Sequence, residues 1–164
     1  MSRPEYTFLP VTRADIPRLR HWLSGAHIGG WWGDPETEIA LIGADMDSGQ
    51  ADMRIVWHEG TPFAFVQDYP AHHWPAPHYA DLPKAARALD TFLGDPDFLG
   101  QGHASGYLRS RAQALLDRGA PCVCVDPDPT NLRAIAAYEK AGFDGSEIRD
   151  CDDGDKVRVM IFKG

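Results

Sequence analysis

The 164-residue chain is predicted to fold as a mixed α/β domain, and three observations point there. Short runs with a two-residue apolar period and longer runs with helical spacing follow one another in the order β-α-α-β-β-β-α-β-α-β-β. Hydrophobic residues make up 43% of the chain, enough to fill the core of one domain of this length. The stretch from Phe98 to Leu116, FLGQGHASGYLRSRAQALL, couples a glycine-containing turn to a helix, the junction expected where an α/β fold meets a ligand. No repeat, linker or low-complexity tract interrupts the sequence, so a single domain over residues 1–164 is expected.

Tyr6 to Val11 reads as the first strand. Thr12 with Asp15 forms a capping-box pattern that starts a helix whose apolar face carries Ile16, Leu19, Trp22 and Leu23, with Ser24 and Gly25 as its stop. His27 to Asp34, HIGGWWGD, holds too many glycines for a regular element. It leaves Trp31 and Trp32 open to two readings, core packing or the wall of a cleft. Asp34 and Pro35 are suited to cap and begin a second short helix, with Ile39, Leu41, Ile42 and Met46 available for packing. Ala51–Trp57 and Phe63–Tyr69 are strand-like runs joined by HEGTP, a hairpin connection that makes them antiparallel.

The four prolines in PAHHWPAPHYADLPK, residues 70–84, exclude a continuous helix or central strand, so this is a loop. Its His72, His73 and His78 stand at no recognised metal spacing and read as solvated side chains or rings over a ligand; no metal site is expected. Ala88–Leu93 alternates as a strand and contains Asp90, a residue type that disfavours strands. It is either an edge carboxylate facing solvent or a functional acid just ahead of the glycine turn. After the helix carrying Tyr107, Leu108, Ala112, Leu115 and Leu116 come a strand at Pro121–Asp126 and a helix beginning at Pro129 with Asp128 as cap. That helix presents Leu132, Ile135, Ala136 and Tyr138 to the core. Two strands, Gly145–Arg149 and Lys156–Phe162, close the chain around the turn at 152–155.

A formal charge of −8 argues against nucleic acid or an anionic membrane as partner and favours a small cationic substrate. Met1 to Pro10 lacks a signal-peptide pattern and no long apolar run exists, so neither export nor membrane spanning is expected; three cysteines, an odd number, read as reduced thiols. A cytoplasmic protein, monomeric or homodimeric, is expected. The glycine turn itself, Gly100, Gln101, Gly102, His103 and Ala104, leaves amide N–H groups unpaired in front of the positive end of a helix dipole. That arrangement suits a phosphate-bearing ligand.

A second segment, Asp126 to Phe143, DPDPTNLRAIAAYEKAGF, joins the first in a resemblance to the GNAT superfamily of acyl-CoA-dependent N-acyltransferases. The acetyl-CoA loop of that family reads Gln/Arg-x-x-Gly-x-Gly/Ala, and the matching slots here are Leu99, Gly102 and Ala104; the first departs from the pattern, with a leucine for Gln or Arg. The later signature, Asn-x-x-Ala-x-x-x-Tyr-x-x-x-Gly-Phe, is met by Asn131, Ala134, Tyr138, Gly142 and Phe143. The resemblance implies a mixed, mostly antiparallel sheet of about seven strands with a central splayed parallel pair, about four helices, and acetyl-CoA as co-substrate. It also implies that Leu99–Ala104, Asn131 and Tyr138 form the CoA contacts.

HWLSGAHIGGWWGD, LDTFLGDPDFLGQG and DPDPTNLRAIAAYEKAGF also look like the aminoglycoside 6′-N-acetyltransferases and the N-hydroxylysine acyltransferases of siderophore synthesis. Asp90 takes the place of the amine-contacting aspartate of the former, where the siderophore branch tends to carry histidine. Catalytic roles follow by resemblance for Asp90, as proton acceptor through water or as cation anchor, and for Tyr138, beside the thioester sulfur. Substrate contacts are expected from Trp31, Trp32, Asp34, Asp68, Asp90 and Asp126, with Trp74 and Asp152 as further candidates. The implied reaction is direct attack of a primary amine on acetyl-CoA in a ternary complex. Protein N-terminal acetylation, siderophore-type acylation and a non-catalytic acyl-CoA-binding module are the alternatives.

Overall fold

The computed structural model describes residues 5–73 and 75–164, so Trp74 lies outside the described residues. Seven strands form one mixed sheet in the order β1-β2-β3-β4-β5-β7-β6, accompanied by four α-helices: the expected class and topology. The chain divides into two compact units, one of residues 1–68 with 90–103, the other of residues 69–89 with 104–164.

In the first unit β1 (Thr7–Pro10) pairs antiparallel with β2 (Asp52–His58), and β2 pairs antiparallel with β3 (Thr61–Pro70) across the Glu59-Gly60 turn. The capping box at Thr12 and Asp15 opens a 3-10 turn at Arg13–Asp15, which continues directly into α1 (Ile16–Leu23). Helix α2 (Pro35–Ser48) is longer than the short helix expected. Asp34 caps it, accepting from the Thr37 amide, and Gly49 ends it in the left-handed region. Ile39 and Ile42 join Leu19, Trp22, Ile55, Phe65 and Phe92 in the unit's core. Leu41, expected to pack, is 54% exposed, because two helical steps from Ile39 turn it about 200° away from that stripe.

In the second unit the first half of β4 (Arg87–Leu93) pairs in parallel with β5 (Val123–Val125), Arg87 opposite Val123 and Ala88 opposite Cys124. β5 pairs antiparallel with β7 (Lys156–Phe162), and β7 with β6 (Phe143–Asp150). The proline-rich connection is irregular apart from a single 3-10 turn, Pro77–Tyr79. Helix α3 (His103–Asp117) buries Tyr107, Leu108, Ala112 and Leu115, as its spacing required, and also Arg111. Helix α4 (Leu132–Ala141) starts three residues later than expected, with Asn131 rather than Asp128 as its cap. Asp128 instead accepts from both the amide and the hydroxyl of Thr130, a local turn that outcompetes the helix there. Ile135, Tyr138 and Ala141 then face inward at helical spacing, while Leu132 at the helix's open end is 73% exposed and Ala136 turns outward. Among the described residues no helix is long and apolar enough to cross a membrane.

One glycine in the first unit is fixed by a close approach. The Gly94 amide, just past β4, donates to the Phe63 carbonyl at 2.8 Å, and a Cβ on Gly94 would stand 2.1 Å from Cδ2 of the buried Trp22 ring. Gly94→Ala therefore displaces a core indole and is expected to destabilise the protein by about 1–3 kcal/mol in urea unfolding. Leu41→Gln, on the exposed face of α2, should change stability by less than about 0.5 kcal/mol.

Candidate functional site

The glycine turn is built from short-range bonds. Asp95 accepts from the Asp97 amide to start a 3-10 turn at Pro96–Phe98, and the Leu99 amide closes on the Pro96 carbonyl at 3.2 Å. The Gln101 side chain donates back to the Asp97 carbonyl at 2.6 Å. Gly100 and Gly102 then take φ of +73° and +81°, a region L-residues avoid, and a Cβ at either would meet nothing within 4 Å. The glycines thus serve the sign of the backbone turn, and their outer side is open. The turn delivers the chain to His103, the first residue of the 15-residue α3, with Ala104 next. The sequence expectation of a turn leading into a helix N-terminus holds in this geometry.

Beneath the turn lies a cluster that sequence reading missed. The Tyr6 hydroxyl hydrogen-bonds Nδ1 of His103 at 2.9 Å, and the His58 ring lies 4.9 Å from the His103 ring. Phe98 stacks on Phe63 at 4.4 Å with the rings 12° apart. Burial and the neighbouring His58 push the His103 pKa below the usual histidine value, with Glu59 pulling weakly the other way; burial raises that of Tyr6. No local motif announced this group, because Tyr6 and His103 stand 97 residues apart.

Asp90 is half-buried on β4, an interior strand, so the edge reading is corrected. Nε2 of Gln67 on β3 donates to Asp90 Oδ2 at 3.3 Å. The two tryptophans separate. Trp32 is half-buried and stands edge-on to Phe92 at 5.0 Å and to Phe65 at 6.5 Å, whereas Trp31 is 49% exposed. Asp34 is engaged as the cap of α2, taking both the amide and the hydroxyl of Thr37. Asp68 is 2% exposed, so it is a buried acid and not a surface one; the Asp52 hydrogen bond, aided by the charge of Asp52 and least by that of Asp68, raises the pKa of the Arg54 guanidinium against the effect of burial.

In the second unit Asp126 directly follows β5, and its Oδ2 lies 3.0 Å from Nε2 of His78. His78 is 8% exposed, which corrects the expectation of a solvated loop side chain. Asn131 accepts from the Ala134 amide at 3.2 Å, a helix-capping task for a residue expected at the CoA site. Tyr138 is buried on α4, edge-on to Phe143 at 5.7 Å. Cys122 and Cys124 are buried in one core cluster, and Cys151 is half-buried. Burial raises the Cys122 thiol, and burial with the charge of Asp126 and of three neighbouring aspartates pushes Cys151 up to about 11, so neither is a ready nucleophile. Among the described residues no group of three or more His, Cys, Asp or Glu is arranged to hold a metal. His72 is taken up by the Leu82 and Pro83 carbonyls.

Comparison with known proteins resolves the family. Residues 11–150 match the acetyltransferase (GNAT) domain. This chain belongs to the GNAT acetyltransferases. A curated relative, the aminoglycoside N(6′)-acetyltransferase type 1 of Klebsiella pneumoniae, is 28% identical to this acetyltransferase over 97% of the chain and 84% of its own length. A solved structure of AAC(6′)-Ib in complex with parmomycin and acetyl-CoA superposes with a TM-score of 0.83 at 26% identity, covering 96% of this chain and 93% of that one. A second, of AAC(6′)-Ib with coenzyme A and kanamycin, gives 0.82 at the same identity over 96% and 94%.

The depressed His103 pKa has a thermodynamic consequence. A histidine whose folded-state pKa lies below its unfolded value of about 6.5 binds fewer protons folded than unfolded below that pH. Its neutral state therefore contributes no penalty above pH 6.5, and stability is lost as pH falls below that point. In thermal melts between about pH 7.5 and 5.5, His103→Gln should show a smaller loss of melting temperature than the parent. An identical slope would exclude His103 as the source.

Proposed function

We propose that this acetyltransferase moves the acetyl group of acetyl-CoA to a primary amine of an aminoglycoside-like polycation, and that residues 1–164 act as one domain. One observation carries the reading: the likeness to aminoglycoside acetyltransferases extends over 96–97% of the chain rather than over the CoA motif alone. The family match also runs through both compact units. The net charge of −8 suits a substrate bearing several ammonium groups.

The chain's own residues meet the demands of the chemistry. CoA brings pyrophosphate oxygens, and the amides that follow Leu99 in the turn up to Ala104, backed by the dipole of α3, are suited to receive them. Leucine at position 99 contributes no side-chain donor and its amide is held by the Pro96 carbonyl, so the pyrophosphate falls to the backbone that follows it. The acceptor ammonium must lose a proton before its nitrogen can attack the thioester carbonyl. Asp90, oriented by Gln67, anchors the cation and takes the proton through water. Once bonded to the carbonyl carbon the nitrogen is cationic and gives up its second proton to water; as the tetrahedral intermediate collapses the carbon–sulfur bond breaks, and the Tyr138 hydroxyl protonates the departing thiolate and recovers a proton from solvent. The products are the N-acetylated amine and CoA thiol. Trp31, with half its surface exposed, is available to a sugar ring, and Asp126 to a second ammonium group. The reduced thiols fit a cytoplasmic location.

Release of CoA thiol is the test, with kanamycin, spermidine, N-hydroxylysine and short peptides as acceptors. Turnover is expected with kanamycin. Asp90→Asn should lower kcat/KM by roughly 10²-fold or more and Tyr138→Phe should lower kcat by a similar factor, with CoA binding kept in both. Turnover with N-hydroxylysine alone would move the enzyme to siderophore-type chemistry. CoA binding without turnover on any amine would sink the catalytic reading.

A further inference from the structure

The pairing of His78 with Asp126 is used by none of the steps above, and its geometry is unusual for a loop. The side chain of His78 is 9% exposed while that of Asp126 keeps 24% of its surface in solvent. An ionised carboxylate can only accept, so the 3.0 Å contact requires the hydrogen on Nε2 of His78. The other ring nitrogen, Nδ1, is buried and has no hydrogen-bond partner among the described residues. Leaving a buried nitrogen unpaired is unfavourable, so the ring is not placed to satisfy its own polar atoms. Among the described residues, the one hydrogen bond the ring makes is to the acid.

The histidine is also held from behind. Nη1 of Arg149, on β6, donates to the His78 carbonyl at 2.8 Å, and the same guanidinium grips Asp81 through both nitrogens at 2.6 and 3.0 Å and Glu147 at 2.8 Å. The Tyr79 ring, 1% exposed, packs 4.1 Å from the imidazole. Backbone and ring are thus both constrained, and a carboxylate hydrogen-bonded to a constrained ring loses its own rotational freedom. Pre-organisation of this kind raises affinity by removing the ordering cost from the binding step.

We propose that His78 is a positioning residue, which fixes the carboxylate of Asp126 to receive one ammonium group of the acceptor, with Arg149 as the brace that fixes His78. The proposal rests on the reading of Asp126 as a substrate contact given above. Its action is confined to acceptor binding. It predicts an effect on KM for the amine, none on the use of acetyl-CoA, and none that is independent of Asp126.

The test is steady-state kinetics with kanamycin and acetyl-CoA, accompanied by calorimetric binding of kanamycin and of CoA. His78→Leu should raise the kanamycin KM about tenfold, the scale of one hydrogen bond to a charged group. Its kcat and acetyl-CoA KM should stay within about twofold of the parent. His78→Gln, which keeps an N–H donor and guards against a folding defect in the leucine variant, should recover most of the affinity. Asp126→Asn should itself raise the kanamycin KM, and adding His78→Leu to it should cost nothing further. If Asp126→Asn matters but His78→Leu does not, or if the two losses multiply, the positioning role is wrong while the substrate-contact reading stands. A silent Asp126→Asn, or a parent that neither binds nor acetylates kanamycin, removes the reading beneath it as well. Equal loss of kcat and CoA binding in both His78 variants would mark the residue as structural only.

Discussion

The parallel pairing of β4 with β5 is the constraint from which the arrangement of this acetyltransferase follows. Parallel neighbours cannot be joined by a tight turn and require a crossover of a dozen or more residues. Here the crossover is the glycine turn and α3, so the helix N-terminus at His103 arises from the need to bring the chain back to β5. The pairing covers only two residues of β4. Further along, that strand is tied to β3, with the Thr91 hydroxyl on the Phe65 carbonyl and the Gly94 amide on that of Phe63. Asp90 stands where the strand has left one unit's residues and joined the other's. The acid at this point accepts a hydrogen bond from a neighbouring glutamine.

Charge distribution gains meaning only when the tasks of individual carboxylates are known. Asp34, Asp95 and Asp128 close local turns or cap a helix, and Asp52 and Asp81 take arginine forks. A net charge of −8 therefore overstates the number of acids available to a cationic ligand. What separates Asp126 from these is a partner from a distant part of the chain, 48 residues away, that is neither a backbone amide nor a guanidinium.

The fold was largely legible because its elements carry their periods plainly. The strand alternation, the Thr12–Asp15 box, the Asp34-Pro35 start and the glycines of the turn each act within a few residues of themselves. Where the reading slipped, two local signals competed. Asp128-Pro129 has the composition of a helix start, yet the Thr130 hydroxyl captures the aspartate and passes the capping role to Asn131. In α2 and α4 the apolar residues outnumber the inward positions, so Leu41 and Leu132 were assigned to a core that the helical period turns them away from. The motif residues of the site stood out because they are contiguous. The Tyr6–His58–His103 cluster and the His78–Asp126 pair are assembled from segments far apart in sequence, and no one-dimensional pattern carries them.

The thiols have a practical side. Cys122 is buried and raised, Cys124 is fully buried with its sulfur directed to the Arg87 carbonyl, and Cys151 is pushed up to about 11. A chromogenic disulfide reacts through thiolate, so at neutral pH the protein's own sulfur is a slow, faint background. Coenzyme A liberated by turnover is a free small-molecule thiol under no such restraint. Colour that develops in a working reaction therefore counts product molecules directly, and the enzyme can be left in the cuvette while it is read.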